Sequence, residues 1–200
     1  MESATSASLL VRLRDVGNED AWDDFYRLYS PLILSFACRR GCTPDDAADV
    51  LQETMVRLLR TFPGFSYEPA LGSFRSFLLK VVDARIKDAF RRKAARERLS
   101  QRVEGGAIPL TEEPDEKPDP GAEWDRLWDP NLLRRALEQV KNRVQPTTFE
   151  SFQLYVVEGV AISEVQARTG LPPNVIYQHR NRVMKLLRKH VEALKSELGE

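Results

Sequence analysis

Near the C-terminal end, Asn174, Gln178, Asn181, Arg182 and Lys185 recur at the spacing of one helix face. With Asn174 set at zero and about 100° per residue, they fall with Arg188 and Lys189 within about 80° of it. Ile176, Val183 and Leu187 fall on the opposite side, near about 180–220°. Amides pair with adenine edges, arginine with guanine or phosphate, and lysine with phosphate. This mixture is the chemistry of a helix laid in the DNA major groove. A solvated basic face would look similar, and Tyr177, at the edge of the face, reads first as structural, with a phosphate contact as the alternative. The residues just before favour DNA: a short helix over Ser163–Thr169, a Gly170-Leu171 turn and a helix opening at Pro172-Pro173 form two helices about a tight glycine turn.

Two further constellations lie in the first half of the chain. Over Pro44–Phe62, Asp46, Asp49, Gln52, Glu53, Arg57 and Arg60 occupy one helix side, and Ala47, Leu51, Thr54, Leu58 and Phe62 the other. The polar side is either a solvated face laced with Asp/Glu–Arg pairs or a docking surface. Further on, Lys80, Lys87, Arg91 and Arg98 align at steps of seven, four and seven, a cationic strip able to track phosphates. Phe65, Tyr67 and Phe74 lie in or beside the glycine-containing loop before it, where aromatics can stack on unpaired bases. Phe74 and Phe77 read first as core, and Arg85 as a partner of Asp88.

Catalysis finds little support. Cys38 and Cys42 lie four apart, unlike CxxC, and His179 and His190 are far from them in sequence, so idle thiols and no metal or other cofactor are expected. Asp45, Asp46 and Asp49 could be offered as the metal ligands of a nuclease. They sit at a helix start, where the dipole accounts for acids, and no His or Lys is placed nearby. No apolar run approaches the roughly 20 residues of a membrane span, and Met1–Ser8 lacks a signal-peptide pattern, so a cytoplasmic protein is expected.

The elements that must position these groups are helical, since periodicity near 3.6 dominates and no two-residue alternation persists. Trp22, Phe25, Tyr29, Leu32 and Phe36 draw one apolar stripe, which Pro31 should kink or divide. Thr43-Pro44-Asp45-Asp46 supplies an N-cap, a first-position proline and dipole-favoured acids for a helix to about Thr61. A third helix follows Gly72 to about Arg98. The zero net charge, 30 basic against 30 acidic residues, conceals alternation. Asp15–Glu53 holds nine acids and three bases, Lys80–Arg102 nine bases and three acids, Glu104–Asp129 nine acids and two bases, and Arg168–Lys195 seven bases and one acid. Such blocks suit different partners, some polyanionic and some basic. With prolines at 109, 114, 118, 120 and 130, the third block reads as a linker. The expectation is an all-α chain of two small helical bundles, 1–99 and 131–200, joined by a Pro/acid-rich linker over 100–130. Four helices are expected in the second bundle, over Leu132–Val144, Pro146–Val157, Ser163–Thr169 and Pro172–Leu194.

Asp46-Ala47-Ala48-Asp49-Val50-Leu51-Gln52-Glu53, then Gly72-Ser73-Phe74-Arg75-Ser76-Phe77-Leu78 and Asp88-Ala89-Phe90-Arg91-Arg92, resembles region 2 of extracytoplasmic function (ECF) sigma factors of the sigma-70 family. Tyr155–Gly159, Glu164-Val165, Gly170-Leu171 and Val175-Ile176-Tyr177 through Arg182-Val183 resemble their region 4, in the right order. The resemblance implies a non-enzymatic subunit that binds core RNA polymerase, directs it to −35/−10 promoters and helps melt them. By motif position, Asp46, Asp49, Gln52, Glu53 and Arg57 would meet the clamp coiled coil of the largest polymerase subunit, which overrides the solvated-face reading. Phe65, Tyr67, Arg75, Lys80, Lys87 and Arg91 would hold single-stranded −10 DNA. Asn174, Tyr177, Gln178, Asn181, Arg182 and Lys185 would read double-stranded −35 DNA. The polymerase flap region is a further implied partner, and whether an anti-sigma protein holds the chain is left open. Asp83-Ala84 stands where many members carry Arg-Asn, Gln166 where Ala is usual, His179 where Arg is frequent and Val175 where Thr is frequent. The alternative is a stand-alone helix-turn-helix regulator with an N-terminal sensor or dimerisation domain.

Overall fold

The computed structural model describes residues 9–65, 73–104 and 119–197. Among the described residues every regular element is a helix, which makes this an all-α protein. They divide between Asn131 and Leu132 into two units.

In the first unit, the short α1 (Leu9–Arg12) buries Leu9 and Leu10, with Leu13 just beyond it, and leads into α2 (Glu19–Arg39). Asn18 caps α2 by accepting the Ala21 N–H at 3.0 Å, and Glu19 and Asp20 face the positive end of its dipole. The expected stripe is the buried one: Trp22, Phe25, Tyr29, Leu32 and Phe36 all lie inside. Pro31 does not divide the helix, which runs through it. An interior proline forfeits a helix bond at a cost of about 3 kcal/mol. Burial of Leu28, Tyr29, Leu32 and Ile33 around it offsets that, and the Leu28 carbonyl accepts a side-chain bond from Asn131 at 2.8 Å.

Gly41, at φ 98, turns the chain into α3 (Pro44–Thr61). Thr43 caps α3 as expected, its Oγ1 accepting the Asp46 N–H at 3.2 Å while its hydroxyl donates to the Asp46 carboxylate at 2.8 Å. A 3-10 turn at Phe62–Gly64 ends α3, and α4 runs over Phe74–Glu104, longer than expected. α2 packs on α3 and α3 on α4. Trp22, Phe25, Phe62 and Phe74 meet at ring distances of 5.6 to 6.3 Å. Phe65 joins this cluster, 5.2 Å from both Phe62 and Phe77, so part of the loop aromatics is packing. The expected pair of Arg85 with Asp88 forms at 3.0 Å.

The linker reading over 100–130 fails at both of its described ends. Residues to 104 continue α4, and α5 (Pro120–Lys141) starts inside the expected linker. Trp124 and Trp128 on α5 are buried, the first edge-on to Phe36 at 5.1 Å, the second stacked on Tyr29 at 5.7 Å. Proline at the first helical position is tolerated, and acids near that end suit the dipole, so the composition that suggested a linker also suits a helix start. The remainder of that stretch, 105–118, lies outside the described residues.

The second unit contains the end of α5, α6 (Pro146–Phe152), α7 (Ile162–Thr169) and α8 (Pro173–Glu197). The helix expected to reach Val157 passes at Gln153 into a wider π turn, closed by the Glu158 N–H on the Gln153 carbonyl at 2.9 Å. Gly170, at φ 70, caps α7 in the left-handed conformation that glycine adopts without strain, and the chain re-enters helix at Pro173.

Candidate protein and nucleic-acid interfaces

The dipole-facing start of α3 and the basic second half of α4 together line a polar cleft of about 550 Å³. Asp45, Asp46, Asp49, Gln52 and Glu53 form one lip; Arg92, Lys93 and Arg96 form the other. Glu53 pairs with Arg92 at 2.6 Å, and this bond holds the Arg92 guanidinium above its ordinary pKa. Asp46 lies below its ordinary value, chiefly through the hydroxyl bond from Thr43. Asp49 and Gln52 are exposed, and Arg57, also exposed, stands with Arg60 and Arg85 around a neighbouring depression that shares Gln52 and Glu53. The five candidates of α3 are thus on one accessible side, two of them already engaged. The α4 cations of the second lip were missed, because sequence periodicity does not tell which face of α4 meets α3. Among the described residues no group of three or more His, Cys, Asp or Glu could hold a metal ion.

On the strip of α4, Lys80 and Arg98 are exposed. Lys87 pairs with Asp83 at 2.7 Å, and Arg91 with Asp88. Both cations are well exposed, at 68% and 79%, while their acids are half-buried, so the charged heads of Lys87 and Arg91 stay open to a phosphate. Arg75 is more firmly engaged: it lies 2.9 Å from Asp125 and 5.3 Å over the Trp128 ring. Acids four before Lys87 and three before Arg91 were legible; the partners of Arg75 were hidden by the linker reading. Arg14 also escaped notice, though its Nε donates to the Phe65 carbonyl at 2.7 Å where the loop begins. Tyr67 lies outside the described residues.

In the second unit, Ile176, Val183 and Leu187 are buried, and Asn174, Tyr177, Gln178, Asn181, Arg182 and Lys185 are all exposed. Tyr177 packs edge-on to Tyr155 at 5.8 Å, and a hydrogen bond with that phenol raises its pKa. His179 faces inward, its Nδ1 2.8 Å from Ser151 Oγ. The Ser151 hydroxyl also lies 3.1 Å from the Thr148 carbonyl, so the serine links the imidazole to the backbone of α6. Burial, then the nearby Arg182 charge, lowers the His179 pKa. α8 also borders an apolar groove of about 600 Å³, lined by Leu133, Leu137, Phe152, Val156, Val157 and Leu187 among others.

Residues 25–96 match the family Sigma-70 region 2. The RNA polymerase sigma factor CarQ of Myxococcus xanthus is 27% identical over 190 residues, covering 95% of this chain and 99% of its own length. The ECF RNA polymerase sigma factor SigE of Mycolicibacterium smegmatis is 23% identical over 201 residues, covering 100% of this chain and 72% of its own. Over 25–96 the chain is thus similar to Sigma-70 region 2, and over nearly its whole length to two sigma factors. Together these likenesses support a sigma factor of the ECF kind, a transcription-initiation factor that directs RNA polymerase to promoters. Among the described residues no helix is long and apolar enough to cross a membrane.

Proposed function

We propose that the three surfaces divide the work of promoter recognition. The chain binds core RNA polymerase through the α3 side of the polar cleft, where Asp49, Gln52, Glu53 and Arg57, with Asp46 at the helix start, meet the clamp coiled coil of the largest subunit. Phe65, Tyr67 and the α4 strip hold the unpaired −10 strand, aromatics on bases and cations on phosphates. The exposed side of α8 reads duplex −35 DNA, and the apolar groove of the same unit is a surface for the polymerase flap rather than for a polyanion. One observation carries the reading: in a chain that matches Sigma-70 region 2, a glycine turn delivers a helix that buries Ile176, Val183 and Leu187 and exposes an amide and cation face.

Asp49→Arg with Glu53→Arg tests the docking. Both side chains border the cleft without filling the core, so the fold should survive while co-purification with core polymerase is lost. Undiminished co-purification would remove the clamp assignment. In-vitro transcription with core enzyme, mapped across genomic DNA, then tests the DNA assignments directly. A stable dimer that binds duplex tightly without polymerase would point instead to a stand-alone regulator.

A further inference from the structure

Arg75 stands in the first turn of α4, where the −10 strand is placed above, and its side chain is only 26% exposed. Its guanidinium is engaged by the Asp125 carboxylate and by the Trp128 ring. Both partners sit on the first three turns of α5, and that segment is built in rather than laid on: Trp124 and Trp128 are 1% and 2% exposed, and the Asn131 amide donates to the Leu28 carbonyl. Asp125 itself is 60% exposed, so solvent and ions reach the pair. Asp129 lies one turn further on and is also exposed.

A carboxylate and a phosphate offer a guanidinium the same thing, anionic oxygens that accept its N–H fork. Asp125 therefore occupies the position at Arg75 that a backbone phosphate would need, while Trp128 keeps the guanidinium in place when the acid is displaced. We propose that Asp125 is an intramolecular competitor for the −10 strand, tuning down the grip of Arg75 on DNA phosphate, with Trp128 as the positioning residue. The inference rests on the −10 assignment of α4. It also explains the acidic charge at the start of α5, since a strand must displace the carboxylate before Arg75 contributes.

The test uses the full chain assembled with core polymerase and a fluorescent fork-junction DNA from a promoter that this holoenzyme transcribes. Asp125→Asn, Asp125→Ser and the double change Asp125→Asn with Asp129→Asn should bind the fork roughly two- to five-fold more tightly, the range of an exposed ion pair. The logarithmic salt slope should steepen by about 0.7, one added phosphate contact on a single strand. Arg75→Ala should weaken binding and abolish the gain from every Asp125 variant. A buttressing role for Asp125 would instead give weaker binding and reduced stability to urea. Unchanged or weaker binding by all three variants, or a gain that survives Arg75→Ala, overturns the competition while leaving the −10 assignment standing. Fork binding by the wild-type holoenzyme that is indifferent to Lys80→Ala, Lys87→Ala and Arg91→Ala together overturns the assignment itself.

Discussion

His179 stands on the helix proposed to read −35 DNA, yet its ring points away from that face, to Ser151. Since its folded pKa is lowered, the folded state resists a proton that the unfolded state accepts. The neutral ring therefore contributes stability above the ordinary value of 6.5, and that contribution is lost as the pH falls through 6.5 toward the depressed folded value. Melting temperature should accordingly decline over this interval in the wild type and decline less in His179→Asn, which keeps a donor near Ser151 and cannot titrate. Equal slopes in the two proteins would show that His179 is not the titrating group. Arg182 is exposed on the outer side of the same helix. A good base contact is worth about 1–3 kcal/mol, so Arg182→Ala should cut −35-dependent transcription roughly ten-fold or more with little loss on nonspecific DNA. Equal losses on promoters with scrambled −35 sequences would take Arg182 out of base reading.

At the scale of elements, two local devices set where the interface helices begin. Gly170 holds φ 70, and a Cβ built there meets no heavy atom within 4 Å. The cost of Gly170→Ala should then be the backbone penalty alone, about 1–2 kcal/mol, seen as a lower urea midpoint. A larger loss would mean that the turn is packed more tightly than its geometry shows. Thr43→Ala removes the cap of α3 and should cost about 1 kcal/mol. It should also move Asp46 back toward its ordinary pKa, because the Thr43 hydroxyl is the main cause of the depression, and carboxyl chemical shifts across an acid titration would report this. Both devices were legible, since a cap and a glycine stop are written within four residues of where they act. The π turn at Gln153–Val157 was not, because its sequence continues the helical pattern on either side.

For the molecule, the consequential finding is that the first unit does not end where its last basic helix does. Trp124 and Trp128 complete the core around Phe36 and Tyr29, so Trp124→Ala should cost about 3–5 kcal/mol, as removal of a buried aromatic does. Urea unfolding followed by helical circular dichroism would measure it, and a loss below about 1 kcal/mol would mean that the segment only rests on the surface. A signal was present: Trp124, Trp128 and Asn131 recur at i, i+4 and i+7, one helix stripe, but five prolines and nine acids outweighed it in a reading by composition.

Residue order alone determined the all-helical class, the buried stripe of α2, the cap of α3 and the inward and outward sides of α8. Each of these follows from periodicity and from side chains bonding the backbone a few residues away, both local properties of the chain. Tertiary structure decided which cations of α4 line the cleft beside Asp49, that Asp125 and Trp128 hold Arg75, and that a stretch rich in proline and acid belongs to a core. These depend on which faces of distant helices meet. That is settled by the burial of bulky aromatics across tens of residues of intervening chain, and no spacing within a single helix encodes it.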